Sequence, residues 1–228
     1  MMPVSVEIRR GTARFVTRAP GRETRHSFSF GEHYDPERTG FGPLVCHDDH
    51  MLAAGTGFET HRHADLEIVT WVVSGALRHT GDSGAPVVVP AGSLAVLSTG
   101  DGVEHSEIAV EGAGPTRFVQ VWLRPDRSGG ASSYAVAALE PAPGSLVPSP
   151  LPVAVGGAAF AVAHLTAGQE LLVPAAPRTH VYVARGALIR SSLADPLQAG
   201  DAFEMLGEPD RTLVSAADTQ LLVWTFAS

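Results

Sequence analysis

The chain has 228 residues, with hydrophobic content of 44% and charged content of 18%, enough apolar sequence to build a large all-β unit or two small cored domains rather than a disordered chain. All 16 basic residues are Arg against 24 acidic ones, a formal net charge of −8, which argues against nonspecific nucleic-acid binding. No run approaches the roughly 20 apolar residues needed to span a bilayer, Met1 to Arg10 lacks the apolar centre of a secretion signal, and the lone Cys46 fits a reducing compartment, so a cytoplasmic location is expected.

In chain order, the first regular signal lies around His61-Arg62-His63. Leu66 to Val73 is rich in β-branched and aromatic residues and stops at Ser74-Gly75. Ala76 to Thr80 reads as the next strand, followed by a turn at Gly81-Asp82-Ser83-Gly84. Val87-Val88-Val89 runs into a turn at Pro90-Ala91-Gly92, and Leu94 to Leu97 is a further strand. Short strands punctuated by Gly, Pro and Asp predict an all-β sandwich or barrel. His105-Ser106-Glu107 follows. Residues i and i+2 of a strand share a face, roughly 7 Å apart. Two such pairs on facing strands, His61 with His63 and His105 with Glu107, can therefore converge on one ion. Three imidazoles and a carboxylate suit Fe(II), Ni(II), Cu(II), Mn(II) or Zn(II). Taken alone, an HxH pair is better explained by an exposed strand edge; the flanking spacing and the second polar pair turn the reading to a metal.

That spacing is Gly55, five residues, His61-x-His63, three residues, Glu67, then Gly84, five residues, Pro90-x-Gly92. It matches the first cupin motif and the start of the second. The histidine that usually follows is delayed to His105, within Ser98 to Glu107. With His26-Ser27-Phe28-Ser29-Phe30-Gly31, Tyr34-Asp35-Pro36, Gly40-Phe41-Gly42, Gly57-Phe58 and His79, the pattern resembles the pirin family of bicupins. The resemblance is strong over residues 4–125 and weak beyond. It implies two cupin barrels with few helices and one metal site. His61, His63, His105 and Glu107 would be the ligands, with Glu107 also the acid–base group. Glu67, where many single-barrel cupins place their carboxylate ligand, becomes a pocket-lining or supporting residue instead, and His79 is either a pocket support or a surface histidine. One divalent transition ion is implied, Fe(II) first, with Ni, Cu, Mn or Zn also accepted by the donor set. The family usually has Pro between the paired histidines. Arg62 stands there in this chain, expected to point away from the ion and to alter the rim.

An internal repeat supports two halves. Val72 to Leu77 recurs as Val183 to Leu188, and Pro90 to Leu97 is echoed near Leu197 to Met205. The expected division is a metal-binding domain over 1–126, a linker over 127–152 and a second cupin domain over 153–228. Registering the two glycine turns places Leu172, Pro174, Leu213 and Ser215 at the ligand positions, so the second copy is expected to bind no metal. His26, His33, His47, His50, His164 and His180 show no ligand-pair spacing. Trp71 and Trp122 are expected in the core, and Cys46 as a buried small hydrophobe.

The resemblance implies an oxidoreductase of the quercetin 2,3-dioxygenase type, acting on a flavonol-like chelating substrate with O2. A metal- or redox-sensing regulator working through a protein partner is the first alternative, and a non-oxidative metal-dependent isomerase the second. Direct nucleic-acid and membrane partners are not expected.

Overall fold

The computed structural model describes residues 5–82, 84–189 and 196–227. Ser83 of the expected 81–84 turn and residues 1–4 of the N-terminal reading lie outside them. The described residues are strands and turns apart from one short 3₁₀ turn at Gly11–Ala13, as an all-β reading requires. In chain order the strands are β1 (Ser5–Arg9), β2 (Phe15–Ala19), β3 (Arg22–His26), β4 (Leu44–Leu52), β5 (Gly57–His63), β6 (Glu67–Ser74), β7 (Ala76–Thr80), β8 (Val87–Pro90), β9 (Ser93–Ser98), β10 (Val103–Ala109), β11 (Thr116–Leu123) and β12 (Ser133–Ala138). They continue as β13 (Leu146–Pro148), β14 (Ala158–Leu165), β15 (Glu170–Val173), β16 (Arg178–Arg185), β17 (Ala187–Leu188), β18 (Leu197–Gln198), β19 (Ala202–Leu206), β20 (Arg211–Val214) and β21 (Thr219–Phe226). Strands β6 to β9 fall where the turn signals place them. Among the described residues, no helix is long and apolar enough to cross a membrane.

The chain forms two compact units. One comprises Phe15–Ala138 and Leu151–Val155. The other comprises Leu139–Pro150 and the described parts of Gly156–Ser228 and Met1–Arg14. These boundaries differ from the expected 1–126, 127–152 and 153–228. Strand β1 pairs antiparallel with β19, so the N-terminal residues complete the sheet of the second unit. The stretch read as linker carries β12, paired with β9, and β13, paired with β14. Pro and Gly content marks the turns of this segment but hides two edge strands: β12, whose partner β9 lies well back along the chain, and β13, which contains Pro148 and pairs with the next strand.

The first unit faces a seven-stranded antiparallel sheet, β12-β9-β6-β11-β4-β3-β2, with a four-stranded one, β5-β10-β7-β8. Leu52, Val72, Leu77, Val89, Ala95, Ala109 and Phe118 form an apolar cluster in this unit, and Ile68, Leu97 and Val103 a smaller one. Inward positions alternate along each strand, so one face of β11 presents Phe118, Gln120 and Trp122 and one face of β4 presents Cys46, Asp48 and His50. Phe118 joins the core, whereas Gln120, Trp122, Asp48 and His50 line a cavity.

The second unit repeats the plan around the sheet β1-β19-β16-β21-β14-β13. The repeat has a physical basis at Gly75 and Gly186, whose φ angles are 74° and 77°. A Cβ at either would lie 2.5 Å from a threonine hydroxyl, Thr116 Oγ1 or Thr219 Oγ1. Each of those hydroxyls donates to the carbonyl of the residue after the glycine and accepts from its N–H: Thr116 with Ala76 and Thr219 with Ala187. The same glycine–threonine clasp thus closes both barrels.

Candidate metal centre

Strands β5 and β10 pair antiparallel with His105 opposite His61 and Val103 opposite His63. Beyond His105 the register shifts, and Glu107 lies opposite Phe58. Strand β5 therefore has one residue more than β10 across this step, a bulge. It turns Phe58 to the same side as His61 and His63. Arg62, between the histidines, is exposed, and its guanidinium donates to the Asp101 carbonyl at 2.6 Å while packing over Gly102.

His61, His63 and His105 offer nitrogens that lie within 4.8 Å of one another, the only such group of three metal-ligating side chains among the described residues. His61 Nδ1 lies 2.7 Å from the Glu59 carbonyl. A carbonyl only accepts, so Nδ1 carries the proton and Nε2 keeps its lone pair for an ion. His105 is 1% exposed, and neither of its ring nitrogens has a hydrogen-bond partner. Leaving a buried imidazole unsatisfied is costly. An ion among the three nitrogens would satisfy one of them, so the residues fit a metal. Electrostatics favour the neutral, ligating form. Burial, then the neighbouring His61, His79 and His63, push His105 down to about 3. Burial, then His61, push His63 down to about 4.

Glu107 stands apart from the three nitrogens in this structure. It is 5% exposed, and both its oxygens accept from Gln120 Nε2, at 2.9 and 3.0 Å. The Gln120 amide is itself oriented: Trp122 Nε1 donates to its Oε1 at 2.9 Å, and its Nε2 also reaches Thr70 Oγ1 at 3.1 Å. Burial raises Glu107 to about 7, partly opposed by the Gln120 donor.

Glu67 is buried but does not line the cavity. It accepts from Ser98 Oγ at 2.9 Å and from the Ala154 N–H at 3.1 Å, tying β6 to β9 and to the 151–155 segment. His79 is buried on β7 opposite Glu107, stacked on Tyr134 at 3.8 Å and 5.2 Å from the His105 ring, so it is no surface histidine. Trp71 and Cys46 are core, as expected. Trp122 is not: its ring meets His63 edge-on at 4.7 Å and lines the cavity. Its apolar flanks point to a core position, but it lies on the face of β11 that lines the cavity.

The cavity, about 440 Å³, is lined by His61, His63 and Glu107 on one side and by Phe30, Phe58 and Trp122 among its apolar walls. His26, Asp48, His50 and Gln120 also line it. Sequence reading passed over all four because their ligand-like spacing is absent; the alternation in Cys46-x-Asp48-x-His50 and Phe118-x-Gln120-x-Trp122 was the signal available.

The Pirin family model matches residues 9–123. A Mycobacterium tuberculosis protein named "Putative quercetin 2,3-dioxygenase" is 35% identical over 236 residues, 98% of this chain and 96% of that protein. The chain belongs to the pirin family. An Escherichia coli K12 protein named quercetin 2,3-dioxygenase is 38% identical to this pirin over 104 residues, 46% of this chain and 45% of that one. The crystal structure of an E. coli bacterial pirin in complex with nickel(II) superposes with a TM-score of 0.89 at 26% identity, covering 98% of this chain and 99% of that one. A single metal ion in the pirin fold is thus consistent with the histidine cluster.

In the second unit, β15 pairs with β20 as β5 does with β10. Leu171 and Val173 point into the core beside Leu213, while Leu172 is 57% exposed. The counterparts of the histidine pair are therefore Leu171 and Val173, not Leu172 and Pro174. A shift of one residue exchanges the faces of a strand. The positions hold packed aliphatic side chains.

Proposed function

We propose that this pirin is a metal-dependent oxidoreductase of the quercetin 2,3-dioxygenase type, acting on aromatic substrates that chelate through adjacent hydroxyl and carbonyl oxygens. The observation that carries the reading is a cluster of three convergent imidazoles, two of which line an aromatic-walled cavity together with a buried carboxylate. His61, His63 and His105 would hold the ion, with Glu107 as fourth ligand or, when turned to Gln120, as proton acceptor. Fe(II) is the first candidate, and Ni, Cu, Mn or Zn suit the same donors. Any of these ions would supply Lewis-acid polarisation of a chelating oxygen pair, and a redox-active one such as Fe(II) would also supply the electron chemistry that reaction with O2 requires.

The protein's own part is positioning and proton handling. Phe58 and Trp122 flank the histidines and present ring surfaces to a planar substrate. Glu107, with its carboxyl near 7, is matched to accept a proton from a substrate hydroxyl at neutral pH. Gln120 holds both carboxylate oxygens and so sets the direction from which that proton arrives.

The test is oxygen uptake by metal-loaded protein given a panel of flavonols and related hydroxy-carbonyl compounds. Metal-dependent uptake that vanishes in His63→Ala supports the reading. Absence of uptake across the panel overturns it, and turnover without oxygen would point to the isomerase instead.

A further inference from the structure

The cavity contains a second polar group that the histidine cluster does not use. His26 and Asp48 are 3% and 4% exposed, on β3 and β4. His26 Nδ1 lies 2.8 Å from Asp48 Oδ2, and His26 Nε2 lies 3.0 Å from Thr17 Oγ1. Thr17, His26 and Asp48 all line the cavity.

The proton positions follow from donor and acceptor types. A carboxylate only accepts, so His26 Nδ1 carries a proton toward Asp48. The Thr17 hydroxyl lies between two imidazole nitrogens, His26 Nε2 and His33 Nε2, the latter at 3.3 Å. It has one proton and two lone pairs. With the proton given to one imidazole, the other donates to the oxygen and takes one lone pair. The second lone pair remains for a group in the cavity. Thr17 is thereby fixed as an acceptor, and what it selects is a ligand hydroxyl that donates.

An aromatic wall joins this group to the histidine cluster. Phe30 stacks on His26 at 5.2 Å and meets Trp122 edge-on at 5.4 Å, and Trp122 meets His63 at 4.7 Å. A planar polycyclic ligand chelated at the histidines would lie along that wall.

We propose that Thr17, held by His26 and Asp48, is a substrate-recognition point that accepts a hydrogen bond from a phenolic hydroxyl remote from the chelating end. The inference rests on the flavonol reading above and narrows it. The preferred substrates are polyhydroxylated, and a flavonol with the chelating pair alone is a poor ligand.

The experiment is an anaerobic binding titration of nickel(II)-loaded protein, followed by ligand absorbance, with two probes. Quercetin carries further phenol groups, and 3-hydroxyflavone carries only the chelating pair. Wild type should bind quercetin roughly tenfold more tightly, the size expected of one hydrogen bond to a partly buried acceptor. Thr17→Val, which keeps the shape and loses the hydroxyl, should bring the ratio close to one, and so should His26→Phe. Thr17→Ser should keep it, which a merely structural threonine would not require. Equal affinity of wild type for both probes overturns the inference, as does an undiminished preference in Thr17→Val; either leaves the flavonol reading standing. Failure of wild type to bind either probe overturns the flavonol reading and this inference together.

Discussion

At the scale of single residues, the site depends on which nitrogens are free to bind. The Glu59 carbonyl fixes the His61 tautomer, and burial keeps His63 and His105 neutral. His61→Ala or His63→Ala should therefore abolish stoichiometric metal binding, measured by metal analysis after dialysis, whereas His180→Ala, in the second unit, should leave one ion per chain. Retention of the ion by a His61→Ala, His63→Ala double variant would show that other side chains hold it. Gln120 offers a second check. Its amide donates to both oxygens of Glu107 and lowers a carboxyl that burial alone would raise further. Activity that needs the Glu107 carboxylate should rise with pH along a limb set by that carboxyl, which burial pushes up and a bound ion would pull down. Gln120→Leu removes the donor, so the rising limb of the pH–rate profile should move to higher pH. An unmoved limb would assign it to another group.

At the scale of elements, the paired strands place the ligands and the glycine turns close the barrels. The β5 bulge brings Phe58, His61 and His63 to one side, which strict alternation along the strand does not do. The turn at Gly75 combines a positive φ with a threonine hydroxyl where a Cβ would stand, and Gly186 repeats both features. Gly75→Ala should cost roughly 2 kcal/mol or more, from strain at the left-handed backbone and displacement of Thr116. Chemical denaturation followed by tryptophan fluorescence would measure it. A cost below about 0.5 kcal/mol would mean that the turn relaxes freely. Gly186→Ala should behave alike in the second unit, since the clasp is the same.

At the scale of the whole molecule, buried imidazoles govern the response to acid. Burial lowers His50 to about 4 and His180 to about 3, one in each unit. Unfolded histidine titrates near ~6.5. Between those values the unfolded chain binds more protons than the folded one, so folded stability is complete above about 6.5 and is lost as pH falls toward 4. His63, His79 and His105 act in the same direction. Glu107, raised to about 7, acts in the opposite one: its contribution is present below the unfolded carboxyl value and is lost as pH rises through 7. Burial also raises Glu204, which acts with Glu107, and lowers His164, which acts with the other histidines. Six histidines outweigh two carboxyls, so the Tm of metal-free protein should fall between pH 6.5 and pH 4.5. Scanning calorimetry in the presence of a chelator would read this, and a flat or rising Tm over that range would contradict it.

The sequence by itself determined the all-β class, the strands from Glu67 to Ser98, the two-fold repeat and the three convergent histidines. Each is a local signal, because alternation, turn residues and i, i+2 pairs act over a few positions. What only tertiary structure decided was long-range pairing. The addition of Ser5–Arg9 to the second unit's sheet and of β12 to β9 depends on partners far along the chain, which no local pattern encodes. The same holds for the cavity wall. His26, Asp48, Gln120 and Trp122 sit on three strands and carry no common spacing. They become neighbours only when β3, β4 and β11 align in one sheet, and it is that alignment which brings them to one cavity wall.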